Sequence, residues 1–314
     1  VRLVGSEMCI RDRKWGDNLS DLVVRALAYH QSVRVYAVST KDILNIIGDK
    51  MSYYPSALDA MGRILSMGAM MGAMLKKEET VTIKVEGDGP IGKIIVDADA
   101  HGHMRGYASN PHCHFEYIDN RLNVKQTIGS TGFISVIKDL KLKELFIGST
   151  PIINGEMAED FAYYFNVSEQ VPSAVGLGVL VDENSRALAS GGFIIQLLPN
   201  ASEEVIENLE KKLAIIPSVS EMLSSGFTPQ DIIYNICEDV EILDTTPIEF
   251  QCGCSKERFA RGILSLGKDE IEQMIEEDKT QETICHFCGE KYYFTKDDLI
   301  EPLNLSLIHI SEPT

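Results

Sequence analysis

The apolar positions in the first half of the chain recur mainly with the period of β-strands. Leu22 to Ala28 and Val33 to Val38 are rich in β-branched residues and flank a turn-like segment, which predicts a hairpin. Val81 to Val85 and Gly92 to Val96 flank a Gly-Pro turn and predict a second hairpin. Strand structure therefore accounts for much of this region.

Helical patterns interrupt these strands. Pro55 begins a long helical pattern that extends to Leu75, and Asp160 to Val167 predicts a short helix. The long helix is rich in methionine; we interpret it as a core helix, although methionine surfaces can also adapt to many partners. Two apolar runs, Val175 to Val181 and Leu188 to Leu198, then predict buried strands. Meandering strands with separate helices indicate an α+β fold.

The pattern changes after Pro199. From Ala201 to Phe250 the apolar residues recur with helical spacing, and Pro217, Gly226 and Pro229 divide the segment into short pieces. This segment contains 11 Asp and Glu residues but only 2 Lys. Short helices that repel one another electrostatically are expected to be only marginally stable alone.

Composition and periodicity divide the chain into five segments. We predict an α+β core domain over residues 19–199, an acidic helical linker over 200–247 and a small cysteine module over 248–303. The two ends, residues 1–18 and 304–314, lack clear periodicity and resemble translated sequencing-adapter sequence. We treat both ends as foreign and exclude them from the reasoning about the fold.

The overall charge limits the possible partners. The 314 residues have a formal net charge of −18, which argues against binding to nucleic acid or to an anionic membrane surface. No apolar run reaches the roughly 18 residues typical of a membrane span, and no secretory signal is visible. The seven cysteines are an odd number and four of them have metal-site spacing, which favours a reduced, cytoplasmic protein.

Those four cysteines form two close pairs. Cys252 and Cys254 are followed, after thirty residues, by Cys285 and Cys288. Four thiolates can bind one tetrahedral Zn²⁺ ion with no open coordination position, so we expect a structural rather than a catalytic site. The apparent free energy of zinc binding in small modules is about 10–16 kcal/mol, whereas the free energy of unfolding of a whole domain is roughly 5–15 kcal/mol. His286 lies within the second pair, but four thiolates already complete the site.

Three interpretations of this site remain open from the residues alone. The first is an inert zinc knuckle. The second is a zinc ribbon that binds nucleic acid or a fixed protein partner. The third is a thiol oxidoreductase that uses Cys285 and Cys288. The excess of acidic over basic residues in 251–303, 12 against 7, argues against nucleic acid. No Ser/His/Asp set, P-loop or paired carboxylates are evident, so we do not expect an enzyme. Cys113 and Cys237 lie outside the motif, and we assign them no role.

The residues around the cysteines also carry a family resemblance. The runs Phe250 to Arg258 (FQCGCSKER) and Cys285 to Thr295 (CHFCGEKYYFT) resemble the zinc-binding end of the heat shock protein 33 family. The resemblance extends from about residue 20 to about residue 303. It includes five further segments: Gly87 to Gly92, Ser109 to Pro111, Val136 to Asp139, Ser168 to Ser173 and Gly191 to Gln196.

The resemblance implies a redox-regulated, ATP-independent holdase of the bacterial cytoplasm. In the reduced state, one zinc ion per chain on Cys252, Cys254, Cys285 and Cys288 would keep the protein inactive. Oxidation to two disulfides would release zinc, unfold the module and linker, and expose surface that binds unfolding client proteins. Activated family members form homodimers and pass clients to ATP-driven chaperones. Four cysteines allow three pairings, of which spacing favours Cys252–Cys254 with Cys285–Cys288.

Overall fold

The computed structural model describes residues 21–115, 122–277 and 279–300. Its architecture is α+β, as the sequence indicates. The segments treated as foreign, residues 1–18 and 304–314, lie outside the described residues. None of the helices in the described part of the chain has the length and apolar content that crossing a bilayer requires.

The strands and helices alternate irregularly along the chain. The strands are β1 (Leu22–Ala28), β2 (Val33–Ser39), β3 (Thr80–Gly87), β4 (Lys93–Asp99), β5 (His103–Ala108), β6 (Gly132–Asp139), β7 (Phe146–Pro151), β8 (Ser173–Val181), β9 (Ala187–Leu197), β10 (Glu241–Pro247), β11 (Glu249–Phe250), β12 (Gln281–Ile284) and β13 (Lys291–Phe294). The helices are α1 (Lys41–Met51), α2 (Pro55–Gly72), α3 (Val124–Ile128), α4 (Met157–Val167), α5 (Glu203–Leu213), α6 (Val219–Ser224), α7 (Pro229–Ile236), α8 (Lys256–Leu264) and α9 (Lys268–Glu276).

Two sheets form the body of the protein. The first has five strands in the order β10-β1-β2-β9-β8, and the second has six in the order β11-β5-β4-β3-β6-β7. Both predicted hairpins are confirmed, because β1 pairs with β2 and β3 pairs with β4, each antiparallel. The predicted buried strands are β8 and β9, which pair with each other.

Helix α2 lies between the two sheets and is buried along almost its whole length. Proline at its first position suits a helix start, because that position needs no backbone N–H. Two glycines allow the sheets to approach this helix closely: a Cβ on Gly62 would lie 2.8 Å from Val179 of β8, and one on Gly68 would lie 2.6 Å from Val96 of β4. The methionines of this helix are core residues, as interpreted from the sequence: Met61, Met67, Met70 and Met71 are all fully buried.

Helices α5, α6 and α7 cover the opposite face of the five-stranded sheet. Their side chains Leu209, Met222 and Ile233 pack with sheet residues in a second apolar cluster, separate from the one around α2. Both α6 and α7 begin with a capping box, in which Ser218 or Thr228 exchanges hydrogen bonds with the third helical residue. The predicted short acidic helices are therefore present, and they cover an apolar sheet face.

The prediction of helix up to Phe250 is wrong for its last part. Helix α7 ends at Ile236, and β10 pairs antiparallel along β1. Strand β11 then pairs parallel with β5 of the other sheet, and the Ile248 amide donates to the Asp21 carbonyl between them. Residues 241–250, which we call the strap, thus join the edges of both sheets. Pairing with a distant strand decides the conformation here, since strand preference depends strongly on tertiary context.

A substitution at Gly102 should displace the strap. Gly102 has a φ of +88°, and a Cβ there would lie 2.0 Å from the Pro247 carbonyl oxygen, whereas Gly226 has a φ of +94° with nothing within 4 Å. Both Gly102→Ala and Gly226→Ala should lower the free energy of unfolding by about 1–2 kcal/mol, because alanine is strained at a positive φ. Only Gly102→Ala should also speed hydrogen exchange at Ile248 and Glu249. Equal exchange at these amides in the two variants would show that the strap does not depend on this contact.

Candidate functional site

The C-terminal module has a small core of its own. Among its described residues, the buried apolar cluster is small and consists of Ile263 of α8, Ile271 of α9, Phe294 of β13 and Leu299, which follows β13. A unit of this size and core content is marginal without a further cross-link. The four cysteines lie at the end of the module nearest the sheets.

Local structure positions each cysteine pair. Cys252 and Cys254 lie in the irregular stretch between β11 and α8, whose first turn is capped by Ser255. Cys285 and Cys288 lie in the turn that joins β12 to β13. The Gly289 amide closes this turn by donating to the Cys285 carbonyl oxygen at 2.8 Å, and Gly289 has a φ of +74°. The two pairs therefore come from separate parts of the module.

The fold brings the four sulfur atoms together. All four Sγ atoms lie within 4.8 Å of one another, with Cys252 and Cys285 3.7 Å apart and Cys254 and Cys288 3.3 Å apart. A tetrahedral Zn²⁺ ion with bonds of about 2.3 Å needs sulfur atoms about 3.8 Å apart. The four cysteines are thus positioned to bind a metal ion, and an all-thiolate set suits zinc. Over the described ranges, they are the one group of three or more His, Cys, Asp or Glu side chains with this arrangement.

The four thiols differ in their acidity. Burial, the largest influence, raises the pKa of the Cys252 thiol, but hydrogen bonds from the Cys254 amide and the neighbouring thiols lower it to about 7. Burial raises the pKa of the Cys285 thiol and that of Cys288, and the adjacent sulfur atoms raise the pKa of Cys288 further. Negative charges on neighbouring sulfur atoms repel one another, so several thiolates are unfavourable in the free cluster. A coordinated cation compensates this repulsion and stabilises the deprotonated form of its thiol ligands.

Two polar side chains approach the sulfur atoms. The Tyr292 hydroxyl lies 3.2 Å from Cys254 Sγ, and Arg105 Nη1 lies 3.9 Å from Cys252 Sγ. Arg105 belongs to β5 of the six-stranded sheet, where its guanidinium forms an ion pair with Asp97 at 2.8 Å. Donors to metal-bound sulfur orient the ligands and offset their charge. Arg105 therefore carries a positive charge from the core domain to the edge of the cysteine cluster.

Aromatic contacts attach the same turn to the sheet. The Phe287 ring meets Tyr107 edge-on with centroids 4.9 Å apart, and the Arg105 guanidinium lies 4.1 Å from the Phe287 centroid. His286 stacks on Tyr107 at 5.3 Å and is not part of the sulfur cluster. Sequence reasoning missed Arg105 and Tyr107, because alternate polar and aromatic residues on a strand carry no sign of a distant partner.

The other two described cysteines lie elsewhere. Cys113 and Cys237 are buried, and neither belongs to the sulfur cluster. Burial raises the pKa of the Cys237 thiol to about 12 and also raises that of Cys113. Buried thiols of this kind are unreactive because the nucleophile is the thiolate. They offer suitable controls for chemistry at the cluster.

Known proteins resemble this chain along most of its length. The model of the Hsp33 protein family matches residues 21–295. The 33 kDa chaperonin of Bacillus pumilus is 50% identical over 283 residues, which are 90% of this chain and 97% of that protein. The 33 kDa chaperonin of Bacillus subtilis is 47% identical over 281 residues, or 89% and 97%. The crystal structure of the 33 kDa chaperonin, a heat shock protein 33 homologue, from Thermotoga maritima superposes with a TM-score of 0.84 at 30% identity, covering 92% of this chain and 99% of that one.

Removal of the Arg105 side chain should loosen the module from the core. Arg105→Ala loses the contact with Phe287 and the donor to Cys252. A cation–π contact is worth about 0.5–2 kcal/mol, so the amide of Gln251, which donates to the Met104 carbonyl, should exchange roughly 2- to 30-fold faster. Lys84→Ala is the control, because Lys84 pairs with Glu86 on the same face of the sheet. Similar exchange rates in both variants would mean that Arg105 does not hold the module.

Proposed function

Because the chain belongs to the Hsp33 family, we propose that this chaperone is an ATP-independent holdase switched on by oxidation. The observation that carries the proposal is the cluster of four cysteines in a module with a small apolar core. A bound Zn²⁺ ion would cross-link both cysteine pairs and supply much of the module's stability. The residues that would hold it are Cys252, Cys254, Cys285 and Cys288.

The switching reaction consumes the metal ligands themselves. Two peroxide molecules accept four electrons from the four thiolates and, with four protons, give two disulfides and four water molecules. Disulfide sulfur is not an anionic ligand, so the oxidised chain retains no thiolate set for a cation. The module then keeps only its small apolar core, which is insufficient for a unit of its size.

The pairing of the disulfides is part of the proposal. In the folded cluster, sulfur contacts of 3.7 Å and 3.3 Å join the two motifs, Cys252 to Cys285 and Cys254 to Cys288. We nevertheless expect disulfides Cys252–Cys254 and Cys285–Cys288. As the module opens, the two motifs separate. The partners within each motif stay close, because only one residue lies between Cys252 and Cys254 and only two lie between Cys285 and Cys288. Peptide mapping of the oxidised protein distinguishes the three possible pairings.

Opening of the module should spread along the strap. The strap leads directly from α7 to Cys252, and β11 and Gln251 hold its end to β5. Loss of the contacts to Arg105 and Tyr107 leaves this end attached by few bonds. The linker helices beyond it are short and acidic, so like-charge repulsion favours their release once the strap is free.

We propose that release of the linker exposes the client-binding surface. Helices α5, α6 and α7 cover an apolar face of the five-stranded sheet, and apolar surface is what unfolding proteins also expose. The sheet residues in this cluster are Val24, Ala26, Ala28, Val33, Val35, Ala37, Phe193 and Ile195. Hydrophobic contact is non-directional and tolerates many sequences, as a general holdase requires.

The remaining parts of the proposal follow from the family. We expect the activated protein to form a homodimer, to act in the cytoplasm and to transfer its clients to ATP-driven chaperones. We expect no substrate turnover and no binding to nucleic acid or membrane. The net charge of −18 supports the exclusion of anionic partners.

Metal content tests the ligand set. The reduced protein should purify with one zinc ion per chain, measured by mass spectrometry of the metal. Each single Cys→Ser change at Cys252, Cys254, Cys285 or Cys288 should weaken the affinity for zinc by about tenfold or more. Removing a residue that supports a metal ligand already costs about that much affinity. Cys113→Ser is the matched control and should keep a full equivalent. Full zinc in a Cys288→Ser variant would contradict the four-cysteine site.

Aggregation assays test the switch. Oxidised protein should suppress light scattering by a heat-unfolding client protein, whereas reduced, zinc-loaded protein should not. Zinc followed in the same tube should appear in step with suppression, because the same four thiolates control both. Hydrogen exchange should quicken in residues 201–250 after zinc release. Zinc that is released without any effect on scattering would leave an inert metal module, and disulfide turnover with a model substrate would favour an oxidoreductase.

A further inference from the structure

We propose that the edge of strand β1, which β10 covers in the reduced protein, is a strand-pairing site for an extended segment of an unfolded client. The segment would add to the five-stranded sheet through backbone hydrogen bonds after the strap has left. This inference rests on the proposed function and deepens it. It assigns to the client a position and a conformation, beyond contact with an apolar surface.

The order of the strands places β1 next to an edge that one segment covers. β10 is the outermost strand of the five-stranded sheet, and β1 lies between it and β2. β10 runs antiparallel along nearly all of β1, from Leu22 opposite Pro247 to Leu27 opposite Glu241. When the strap departs, the backbone N–H and C=O groups of β1 on that side lose their partners. An uncovered edge of this kind is a template for another strand.

β10 holds its place mainly through its backbone. Five of its seven side chains are exposed, and only Ile242 and Thr246 are half-buried. Even Leu243, a large apolar residue, is 45% exposed. A strand that contributes so few side-chain contacts is held by backbone bonds that any extended sequence can form. The edge of β1 therefore selects for extended conformation and not for a particular sequence, which matches a client that varies.

The edge is continuous with the proposed client-binding face. Val24 and Ala26 of β1 belong to the apolar cluster that α5, α6 and α7 cover. Ile242 of β10 lies opposite Ala26 and packs against that cluster. Side chains directly opposite in a sheet share a face, so a client strand would place every second side chain over the same apolar surface. Backbone pairing and apolar contact would thus act on one bound segment.

A backbone-modified peptide separates these two contributions. The probe is a fluorescent ten-residue peptide of alternating apolar and polar residues, together with an analogue N-methylated at alternate amides on one edge. Both peptides have the same side chains, but the analogue lacks donors for one sheet edge. Three or more lost hydrogen bonds of about 1 kcal/mol each predict that the analogue binds the oxidised protein about 100-fold more weakly, or weaker still. The reduced protein, whose edge is covered, should bind neither peptide.

Photo-crosslinking locates the bound peptide. A benzophenone amino acid replaces Leu22, which is half-buried on β1, and in a control chain replaces Ile147, which is 64% exposed on β7. The control tests the outermost strand of the other sheet, which also exposes apolar side chains. After oxidation, the peptide should attach at position 22 and not at position 147. Attachment at position 147 alone would place the bound peptide at the edge of the six-stranded sheet and overturn the proposal.

The outcomes separate this inference from the function on which it rests. Oxidised protein that suppresses aggregation but binds both peptides equally would retain the holdase function and overturn strand pairing. Crosslinks between two copies at position 22, with no peptide attached, would show that the edge pairs with a second chain instead of a client. Oxidised protein that neither suppresses aggregation nor binds either peptide would overturn both proposals.

Discussion

Backbone pairing of the strap with both sheets is the constraint on which the rest of the arrangement depends. β10 adds to the edge of one sheet and β11 to the edge of the other, within ten residues of chain. The linker helices lie before this segment and the first cysteine pair follows directly after it. The strap has few buried side chains, so its position depends on hydrogen bonds at two exposed edges and on the structures at its two ends. In the proposed mechanism, a change in the cysteine module would be transmitted through the strap to the helices.

The stability of the reduced state is distributed unevenly. The core around α2 is large and closely packed because both sheets enclose α2, and none of the four clustered cysteines belongs to it. By contrast, the linker helices combine a modest apolar cluster with a concentration of like charge, and local capping boxes contribute only about 1 kcal/mol each. The module depends on a still smaller core. Local opening is expected at the weakest units first, and here these units are adjacent in sequence, which suits the proposed switch because the rest of the fold would stay intact.

Arg105 shows how the core takes part in the cysteine site. Its guanidinium is paired with Asp97, lies over the Phe287 ring and approaches Cys252 Sγ. The positive charge favours the reduced, thiolate form of the cluster, and the planar group also attaches the cysteine turn to the sheet. In the proposed switch, oxidation of Cys252 would remove the negative partner of this contact. Arg105, which contacts the cysteine turn from the core, would therefore also respond to the chemistry of the cysteines.

The sequence by itself identified the four paired cysteines, the two hairpins and the methionine helix, because residue type, short spacing and local periodicity carry that information. It also indicated short acidic helices, whose caps are local motifs. Only the tertiary structure decided that residues 241–247 are a strand, since β1 lies more than 200 residues away and no local pattern records the pairing. For the same reason it alone showed that the four sulfur atoms lie together and that Arg105 reaches them. Contacts between distant segments depend on the packing of the whole chain, which spacing along the sequence does not encode.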